Sequence, residues 1–556
     1  MAEAVDPGTA RLTGGEAIVE SLLAHGVDTV FGLPGVQIYG LFDALAKAGD
    51  ALRVVCPRHE QAAAYMAYGY ARSTGRVGVY AVVPGPGMLN SAAALSTAYA
   101  TSTPLLCVTG QVPAAFIGGG MGHLHELPDQ LATLRSLTKF AARIDEPWQA
   151  PDVLAYAFAA ARAGRPRPVG VEMPWEVFDR VAPVAPAQPL PPEPATPPDP
   201  DALERVAALL AGARNPMIMV GSGALGASAE VLALAERLQA PVVAFRGGRG
   251  VVPSDHHLGF SCADGFERWA HTDVLLGIGS RLELAWFRWP DRPRGLQTVL
   301  IDVDPEQQRR LDAQIGLVGD SSRTAAALEA LLAQRGVQRP SRAAEFTQLR
   351  AAVRRRVETV QPQVAYLDAI RAALPRDGFF VEEVCQAGFT SYYAFPVYEP
   401  RTYVTCGAQG TLGYGYATAL GVKVAHPDRA VVSITGDGGF QFGLQELATA
   451  AQYGIGLVCV LFDNGAYGNV LRDETNRPGG STFGTRLRNP DFVALAASYG
   501  VRSARVSSPE QLGAELEGAL ASGEPALLCV PVDPARETSP WPFVMPPSRG
   551  GADAHS

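Results

Sequence analysis

Short apolar runs rich in β-branched residues alternate along this chain with segments of helical spacing. Ala430-Val-Val-Ser-Ile-Thr435 and Leu457-Val-Cys-Val-Leu-Phe462 are two such runs, and residues Gly443 to Tyr453 between them have helical periodicity. This order predicts a β-α-β unit with parallel strands. The first and third parts of the chain show the same alternation, which predicts parallel sheets covered by helices on both faces.

Two breaks divide the pattern. The proline-rich stretch over residues 181–200 can form neither a helix nor a central strand and indicates a semi-rigid linker. A softer break lies in the polar region from Arg335 to Gln363. Because 556 residues are too many for one hydrophobic core, we predict an α/β protein with three doubly wound parallel-sheet domains, near 1–185, 186–355 and 356–556.

Composition excludes several classes of protein. With 46 Lys and Arg against 55 Asp and Glu, the net charge of −9 and the lack of a basic run argue against nucleic-acid binding. No apolar span has transmembrane length, and the amino terminus does not resemble a signal peptide. The seven cysteines are scattered without a Cys-x-x-Cys pair, and His123, His125 and the pair His256-His257 lack zinc-site spacing. We expect a cytoplasmic protein with no membrane partner.

The β-α-β unit carries candidate metal ligands. Asp437 lies in Thr435-Gly-Asp-Gly-Gly-Phe440, and Asn464 follows twenty-seven residues later, after the second strand. Because the carboxyl ends of parallel strands share one edge of a sheet, the two side chains are expected to face one point, as oxygen ligands of Mg²⁺ do. The glycines Gly436, Gly438 and Gly439 let backbone N–H groups approach a phosphate before a helix. The alternative is a plain strand-to-helix turn with a surface Asn.

A second candidate lies near the amino terminus. In Leu52-Arg-Val-Val-Cys-Pro-Arg-His-Glu-Gln-Ala-Ala-Ala64, the carboxylate of Glu60 follows an apolar strand and begins an Ala-rich helix. A glutamate in the first turn of a helix is favoured by the helix dipole, so a helix-capping role is the alternative.

The middle segment has a glycine fingerprint of its own. Pro216-Met-Ile-Met-Val220 leads into Gly221-Ser-Gly-Ala-Leu-Gly226 and then into a helical pattern, as in dinucleotide-binding domains. An NAD-binding domain would have an acidic residue at the end of the second strand, whereas Arg246 stands there after Pro241-Val-Val-Ala-Phe245. We therefore reject NAD and predict a Rossmann-like domain. A purely structural domain is the alternative.

Taken together, these motifs resemble those of thiamine-diphosphate-dependent enzymes, over nearly the whole chain and in the order pyrimidine domain, middle domain, diphosphate domain. The closest likeness is to the acetolactate synthase-like branch, because Gln445-Glu-Leu-Ala-Thr-Ala450 and Asn489-Pro-Asp-Phe492 are typical of it. One departure is Asp463, which replaces the first Asn of the family's Asn-Asn pair. The ligand position, Asn464, is intact.

The resemblance implies a role for each of a set of residues. The catalytic residues would be Glu60, Gln37 and His125. The metal ligands would be Asp437, Asn464 and the carbonyl of Ala466. The residues that contact the cofactor would be Gly410, Leu412, Gln386, Gly436, Gly438, Gly439, Gly85 and Asn90. The substrate pocket would include Lys139, Asn469, Val470 and Arg472.

The resemblance also implies a reaction. With thiamine diphosphate and Mg²⁺, the enzyme would decarboxylate a pyruvate-like 2-oxo acid and ligate the resulting enamine to a second carbonyl. The alternatives are a decarboxylase or hydroxyketone lyase that forms no acetolactate, a flavin-dependent oxidase, and a non-catalytic regulatory subunit. A homodimer or homotetramer with the active site at the subunit interface is expected.

Three departures from acetolactate synthases keep these alternatives open. The chain has Gly122-His-Leu-His-Glu126 in place of Ala-Phe-Gln-Glu, and it lacks the Trp that follows their Tyr-Gly equivalent. Gly259-Phe-Ser-Cys262 and Ser280-Arg-Leu-Glu-Leu284 replace their flavin-binding sequences. The sequence leaves open whether the middle domain binds FAD, another adenine nucleotide held by Arg246 or Arg281, or nothing.

Overall fold

The computed structural model describes residues 9–192 and 197–548. Three six-stranded sheets, all of whose neighbouring strands are parallel, draw their strands from residues 29–174, 216–318 and 379–531. Helices pack on these sheets, which confirms the predicted α/β class with three doubly wound sheets. The amino-terminal residues 1–8, residues 193–196 of the proline-rich stretch and residues 549–556 lie outside the described part. The boundaries near 185 and 355 stay a prediction.

The first domain has the strand order β3-β2-β4-β5-β7-β6. Its strands are β1 Ala10–Thr13, β2 Thr29–Gly32, β3 Arg53–Val55, β4 Gly78–Val82, β5 Leu105–Gln111, β6 Phe140–Arg143, β7 Val169–Pro174 and β8 Val181–Val184. Its helices are α1 Gly14–Ala24, α2 Tyr39–Lys47, α3 Glu60–Thr74, α4 Pro86–Asn90, α5 Ala92–Thr101, α6 Gln130–Leu137, α7 Ala150–Arg162 and α8 Trp175–Asp179. The strands β1 and β8 form a separate antiparallel pair, so the first four residues of the proline-rich stretch pair with the first strand of the domain.

The middle domain has the strand order β11-β10-β9-β12-β13-β14. Its strands are β9 Pro216–Val220, β10 Val242–Ala244, β11 Gly259–Phe260, β12 Val274–Ile278, β13 Gln297–Asp302 and β14 Ile315–Val318. Its helices are α9 Pro200–Gly212, α10 Ser228–Leu238, α11 Cys262–Trp269, α12 Pro305–Arg310, α13 Ser321–Gln334 and α14 Ala343–Val357. The predicted strand-glycine-helix fingerprint is confirmed by β9 and α10.

The third domain has the strand order β16-β15-β17-β18-β20-β19. Its strands are β15 Phe379–Val381, β16 Tyr403–Val404, β17 Val431–Gly436, β18 Val458–Asp463, β19 Arg502–Arg505 and β20 Ala526–Pro531. Its helices are α15 Gln363–Ala373, α16 Gln386–Ala394, α17 Gly415–Ala425, α18 Asp437–Phe440, α19 Leu447–Tyr453, α20 Gly468–Asn476, α21 Phe492–Ser498, α22 Pro509–Ser522 and α23 Trp541–Val544.

The predicted β-α-β unit is present, but its helix differs from the prediction. Strands β17 and β18 are parallel neighbours, with Gly436 opposite Phe462. Between them lie the four-residue α18, a 3-10 turn and then α19, which begins only at Leu447. The helical spacing predicted over Gly443 to Tyr453 is confirmed from Leu444 onward, but its first turn is a 3-10 helix, and the short α18 before it was not predicted. A helix of four residues adds little dipole for binding a phosphate.

Helices α3 and α17 hold the first and third domains together by crossing at very short range. A Cβ atom at Gly69 would lie 2.0 Å from the carbonyl oxygen of Thr418, and one at Gly421 would lie 1.9 Å from that of Met66. Only glycine permits such an approach of two backbones. The crossing matters for the site because α3 begins at Glu60, while α17 follows the loop that carries Gly410 and Leu412.

In each sheet the connections from two neighbouring strands lead in opposite directions, which creates a crevice at the carboxyl ends of those strands. The crevices lie between β2 and β4, between β9 and β12, and between β15 and β17. Open α/β sheets bind ligands at this position, so the fold offers three candidate sites.

Candidate active site

The crevice of the first domain contains Glu60. This residue begins α3 and is half-buried, and its Oε2 atom accepts a hydrogen bond of 3.0 Å from Asn90 Nδ2 at the end of α4. A Cβ atom at Gly87 would lie 3.4 Å from Glu60 Oε1, so this glycine leaves space beside the carboxylate. The helix cap is the preceding residue, His59, whose side chain accepts from Gln61 N. A capping role is therefore already filled, which favours the functional interpretation of Glu60.

Gln37 and His125 meet in the same crevice. Gln37 is buried, its Nε2 donates to Leu124 O at 2.8 Å, and its Oε1 lies 3.1 Å from His125 Nδ1. Both residues have positive φ, 75° for Gln37 and 67° for His125, which only tight loops impose on non-glycine residues. Gly85, with φ of 59°, passes so close that a Cβ atom there would lie 2.4 Å from His125 O. The structure thus brings the predicted amino-terminal residues into one cluster.

The surroundings of His125 favour the neutral form of its imidazole. Partial burial lowers the pKa of His125, and the nearby charge of Glu60 opposes this shift. A neutral imidazole has a free lone pair that accepts a proton, and the imidazolium that forms can return it, so His125 is suited to proton transfer beside Glu60.

The crevice of the third domain contains Asp437, directly after β17. It is 2 % exposed, and its Oδ2 accepts a hydrogen bond of 2.6 Å from Asn489 Nδ2. The same nitrogen lies 2.7 Å from Asp463 Oδ1, so Asn489 bridges the two carboxylates. Burial, with a contribution from the charge of Asp463, raises the pKa of Asp437. Two neighbouring carboxylates that share one amide donor are an incompletely neutralised pair, which a cation would complete.

Asn464 follows β18 at the same edge. Its Oδ1 accepts from Ala466 N at 3.1 Å, and its Nδ2 donates to Glu537 Oε2 at 2.8 Å. Burial raises the pKa of Glu537, while the hydrogen bond from Asn464 and the charge of Arg472 oppose the shift. Among the described residues no cluster of three or more His, Cys, Asp or Glu side chains forms a metal site. The oxygens present here, from carboxylate, amide and carbonyl groups, are of the kind that Mg²⁺ prefers.

Gln386 provides the test of whether a polar ligand fits. This first residue of α16 is 4 % exposed, yet neither its Oε1 nor its Nε2 has a hydrogen-bond partner. A Cβ atom at Gly468 would lie 2.7 Å from Asn464 Nδ2 and 3.6 Å from Gln386 Nε2, so the two amides lie close together beside this glycine. A buried amide without partners is costly, and a bound polar group would satisfy it. The residues therefore fit a metal-bound diphosphate.

Glu383 holds the loop that carries Gly410 and Leu412. Its Oε1 accepts from Gly413 N at 2.9 Å, and its Oε2 accepts from Gly415 N at 2.8 Å. Burial raises the pKa of Glu383 despite these two backbone donors. Gly410 is exposed with φ of 62°, and Leu412 is half-buried. The loop is thus fixed at its far end, and it is exposed at Gly410, one of the cofactor contacts that the resemblance implies.

The glycines of the Thr435-to-Phe440 turn are closely packed. A Cβ atom at Gly438 would lie 2.5 Å from the Tyr467 ring, one at Gly439 would lie 3.3 Å from the Glu383 carboxyl carbon, and one at Gly436 would lie 3.1 Å from Cys385 Cβ. The turn therefore tolerates larger residues poorly, even before any ligand is considered.

The candidate pocket residues of the third domain lie on α20. Asn469 Oδ1 accepts from Trp541 Nε1 at 2.6 Å, Arg472 Nη1 donates to Ser539 Oγ at 3.4 Å, and Val470 is 49 % exposed. Lys139, in contrast, immediately precedes β6 at the amino-terminal edge of the first sheet, and its Nζ donates to Ala163 O and Arg165 O. Within one chain, the structure does not bring Lys139 to the edge that carries Glu60.

The middle-domain crevice opens into a cavity of about 600 Å³. Its walls include the loop after β9, the loop after β12 with Arg281, and Asp302 at the end of β13. Arg246 also lines it, but this guanidinium is ion-paired with Glu283 and donates to Gly407 O at 2.6 Å. Arg246 therefore ties the middle domain to the third domain. Arg281 has no hydrogen bond to an acid among the described residues, and burial lowers its pKa.

Three contributors to the site were not predicted, namely Asn489, Glu383 and Glu537. Asn489 lies in a quoted motif without a role, and Glu383 belongs to an acidic pair directly after the apolar run Phe379–Val381. The position of two acids directly after a buried strand was a signal that could have predicted Glu383 as a site residue. Glu537 had none, because its proximity to Asn464 arises only from the path of the chain after β20.

The fold thus places the Glu60 carboxylate in the crevice of one α/β domain and the buried Asp437 carboxylate in the crevice of another. Family models described as the N-terminal TPP binding domain, the central domain and the C-terminal TPP binding domain of thiamine pyrophosphate enzymes match residues 12–133, 203–331 and 383–530. The chain belongs to the thiamine pyrophosphate enzyme family and is thus an enzyme of the thiamine-diphosphate-dependent class.

The curated relatives cover nearly the full chain. A probable 2-ketoarginine decarboxylase, AruI, of Pseudomonas aeruginosa is 38 % identical over 92 % of this chain and 92 % of its own. A probable acetolactate synthase large subunit of Methanocaldococcus jannaschii is 34 % identical over 97 % and 94 %, and isozyme 3 of the Escherichia coli acetolactate synthase large subunit is 32 % identical over 92 % of each. The predicted acetolactate synthase-like family is confirmed. No helix within the described residues has the length and apolarity needed to cross a membrane.

Proposed function

We propose that this enzyme decarboxylates a 2-oxo acid with thiamine diphosphate and Mg²⁺ and joins the product to a second carbonyl compound, as acetolactate synthases do. The observation that carries the cofactor part is the buried side-chain amide of Gln386, which has no hydrogen-bond partner at either end and lies near Asn464 at the carboxyl edge of the third sheet. The similarity to acetolactate synthases over the full chain supports the carboligase part.

The metal would be held by Asp437, Asn464 and the carbonyl of Ala466, and Gln386 would contact the diphosphate. Asn489 would orient Asp437 by its hydrogen bond to Oδ2, which leaves Oδ1 for the metal. When bound, the cofactor supplies a carbon nucleophile that adds to the oxo group and accepts the electron pair as carbon dioxide leaves.

Glu60 would receive and return the proton that activates the cofactor. Its carboxylate is half-buried and already held by Asn90, so it is directed into the crevice. Gly410 O would accept from the cofactor's amino group, and Leu412 would support its bend. His125, kept neutral by burial and placed by Gln37, would transfer protons to or from the substrate.

We further propose that the working unit is at least a homodimer, in which Glu60 of one chain faces Asp437 of the other. No hydrogen bond or ion pair within the described parts of one chain joins the Glu60 cluster to the Asp437 cluster. Mixing two inactive variants, Glu60→Gln and Asp437→Asn, tests this arrangement. Shared sites predict that the mixture regains part of the wild-type activity after subunit exchange, whereas sites built within one chain predict no recovery.

A second candidate is a decarboxylase that releases an aldehyde. The 38 % identity to the probable 2-ketoarginine decarboxylase and the replacement of the Ala-Phe-Gln-Glu loop by one with His125 favour it. An imidazole at this position can take up a proton and then, as the imidazolium, deliver it to the product for this outcome.

Mass analysis of products separates the two candidates. The enzyme is incubated with pyruvate, and in parallel with a 2-oxo acid that carries a guanidinium group. Acetolactate from pyruvate supports the carboligase, and release of acetaldehyde alone contradicts it. An aldehyde formed only from the guanidinium substrate supports the decarboxylase.

A flavin-dependent oxidase and an adenine-nucleotide site remain testable through the middle-domain cavity. Flavin bound there gives the purified protein absorption near the visible flavin bands, and a colourless protein contradicts the oxidase. Extraction of a non-flavin adenine nucleotide from the protein favours the ADP-type alternative.

A further inference from the structure

The segment after β20, residues Asp533–Val544, crosses the carboxyl edge of the third sheet and is fixed there by several contacts. Thr538 N donates to Gln361 O at 2.9 Å, and Gln363 Nε2 donates to Thr538 O at 2.8 Å. Further along, Trp541 packs against Phe389 at 5.1 Å between ring centroids. Before Glu537, Val532 N donates to Asp463 O at 2.8 Å, so the chain is anchored on both sides of this residue.

The contact that matters is the hydrogen bond from Asn464 Nδ2 to Glu537 Oε2. An ionised carboxylate only accepts hydrogen bonds, so it selects the NH₂ end of the amide. The oxygen end then turns to the opposite side, where it meets Ala466 N. Only this oxygen can bind a cation, since the amide nitrogen has no free lone pair for a metal.

We infer that Glu537 is a positioning residue for the metal, which fixes the Asn464 side-chain amide with its oxygen toward the metal position shared by Asp437 and Ala466. This inference rests on the proposed Mg²⁺ site. It assigns a role to the C-terminal segment that the three family-matched regions do not include, since the last of them ends at residue 530. The role of Glu537 parallels that of Asn489, which orients Asp437 from the other side.

The test uses Mn²⁺ as a probe of the metal site. Electron paramagnetic resonance measures its binding to the full-length protein in the presence of thiamine diphosphate. Glu537→Gln retains an oxygen that accepts from Asn464 Nδ2, whereas Glu537→Ala does not. We expect Glu537→Ala to bind Mn²⁺ about 10-fold or more weakly, as loss of a partner that orients a ligand does. Glu537→Gln is expected to bind within about 3-fold of wild type, within the usual spread of such effects.

Glu517→Ala is the control, because it removes an exposed carboxylate of α22 in the same domain and leaves the segment around Glu537 unchanged. It should leave Mn²⁺ binding unchanged. If Glu537→Ala fails to fold, Glu537→Leu replaces it, because leucine keeps the bulk of the side chain without an acceptor.

Each outcome decides the inference. Equal weakening in Glu537→Gln and Glu537→Ala contradicts the positioning role, because the effect would then come from the lost charge. Unchanged binding in both variants also contradicts it. If wild-type protein with thiamine diphosphate binds no Mn²⁺, the proposed metal site itself is wrong, which distinguishes failure of the site from failure of the role of Glu537.

Discussion

The two halves of the candidate site differ in how complete they are before a ligand arrives. The Glu60 half contains one carboxylate, which is held by Asn90, next to a neutral His125 that is placed by Gln37. The Asp437 half contains three carboxylates, Asp437, Asp463 and Glu537. Both ends of its buried Gln386 amide lack a hydrogen-bond partner.

The difference teaches which half depends on the cofactor for its own stability. The Glu60 half is satisfied by the protein, so it is organised for proton transfer. The Asp437 half has raised carboxyl pKa values and unmet hydrogen bonds, so a cation and a diphosphate would complete it. Variants in the two halves should therefore fail in different ways.

The largest effect is expected from Glu60→Gln. The amide keeps the volume and the contact with Asn90 but cannot exchange the proton, so turnover should fall by about 100-fold or more. Thiamine diphosphate should still bind with near wild-type affinity in a calorimetric titration. Unaltered turnover would refute the role of Glu60.

Asp437→Asn should fail at an earlier step. Loss of the charged ligand is expected to weaken Mg²⁺-dependent cofactor binding by about 100-fold, at the upper end of the effects seen when ligand-orienting groups are removed. Calorimetry with thiamine diphosphate at several Mg²⁺ concentrations measures this. Cofactor affinity like that of wild type would show that the two halves do not divide the work as proposed.

The packing of the first domain against the third within one chain is tested at the crossing of α3 and α17. Gly421→Ala places a Cβ atom against Met66 O and should destabilise the protein by about 1–3 kcal/mol. Gly513→Ala, in α22 with open space around the new methyl group, is the control and should be neutral or slightly stabilising. Chemical denaturation curves compare the two. Equal stability of both variants would mean that the crossing is not tightly packed in solution.

The smallest effect concerns Glu382, which precedes Glu383. It is fully buried with an unpaired Oε2, and burial raises its pKa to about 7. Since the unfolded chain releases this proton more readily, the stability contributed by Glu382 is present below its ordinary pKa and is lost as pH rises through about 7. Glu382→Gln should therefore gain stability relative to wild type at pH 8 but not at pH 5.

Thermal melts at the two pH values measure this crossover. The exposed Glu204→Gln is the control and should show no difference between them. A Glu382→Gln variant with the same pH dependence as wild type would mean that Glu382 is ionised in the folded protein at neutral pH.

The sequence determined the class of fold, the order of the domains and the family, because these depend on local patterns. Apolar runs with helical segments between them specify parallel sheets, and the residues directly after the strands, such as Asp437 and Asn464, must lie at the carboxyl edge. Glu60 at the start of α3 follows from the same local rule.

Tertiary structure alone decided the contacts between residues far apart in the chain. It placed Glu537 on Asn464, Asn489 between two carboxylates, and Gly69 and Gly421 at a crossing of two backbones. It also placed Lys139 at the opposite edge of its sheet from Glu60. Such contacts depend on how whole elements pack and on the path of the chain after the last strand. No local periodicity or motif encodes that path, since the packing is selected by the summed burial of many distant side chains.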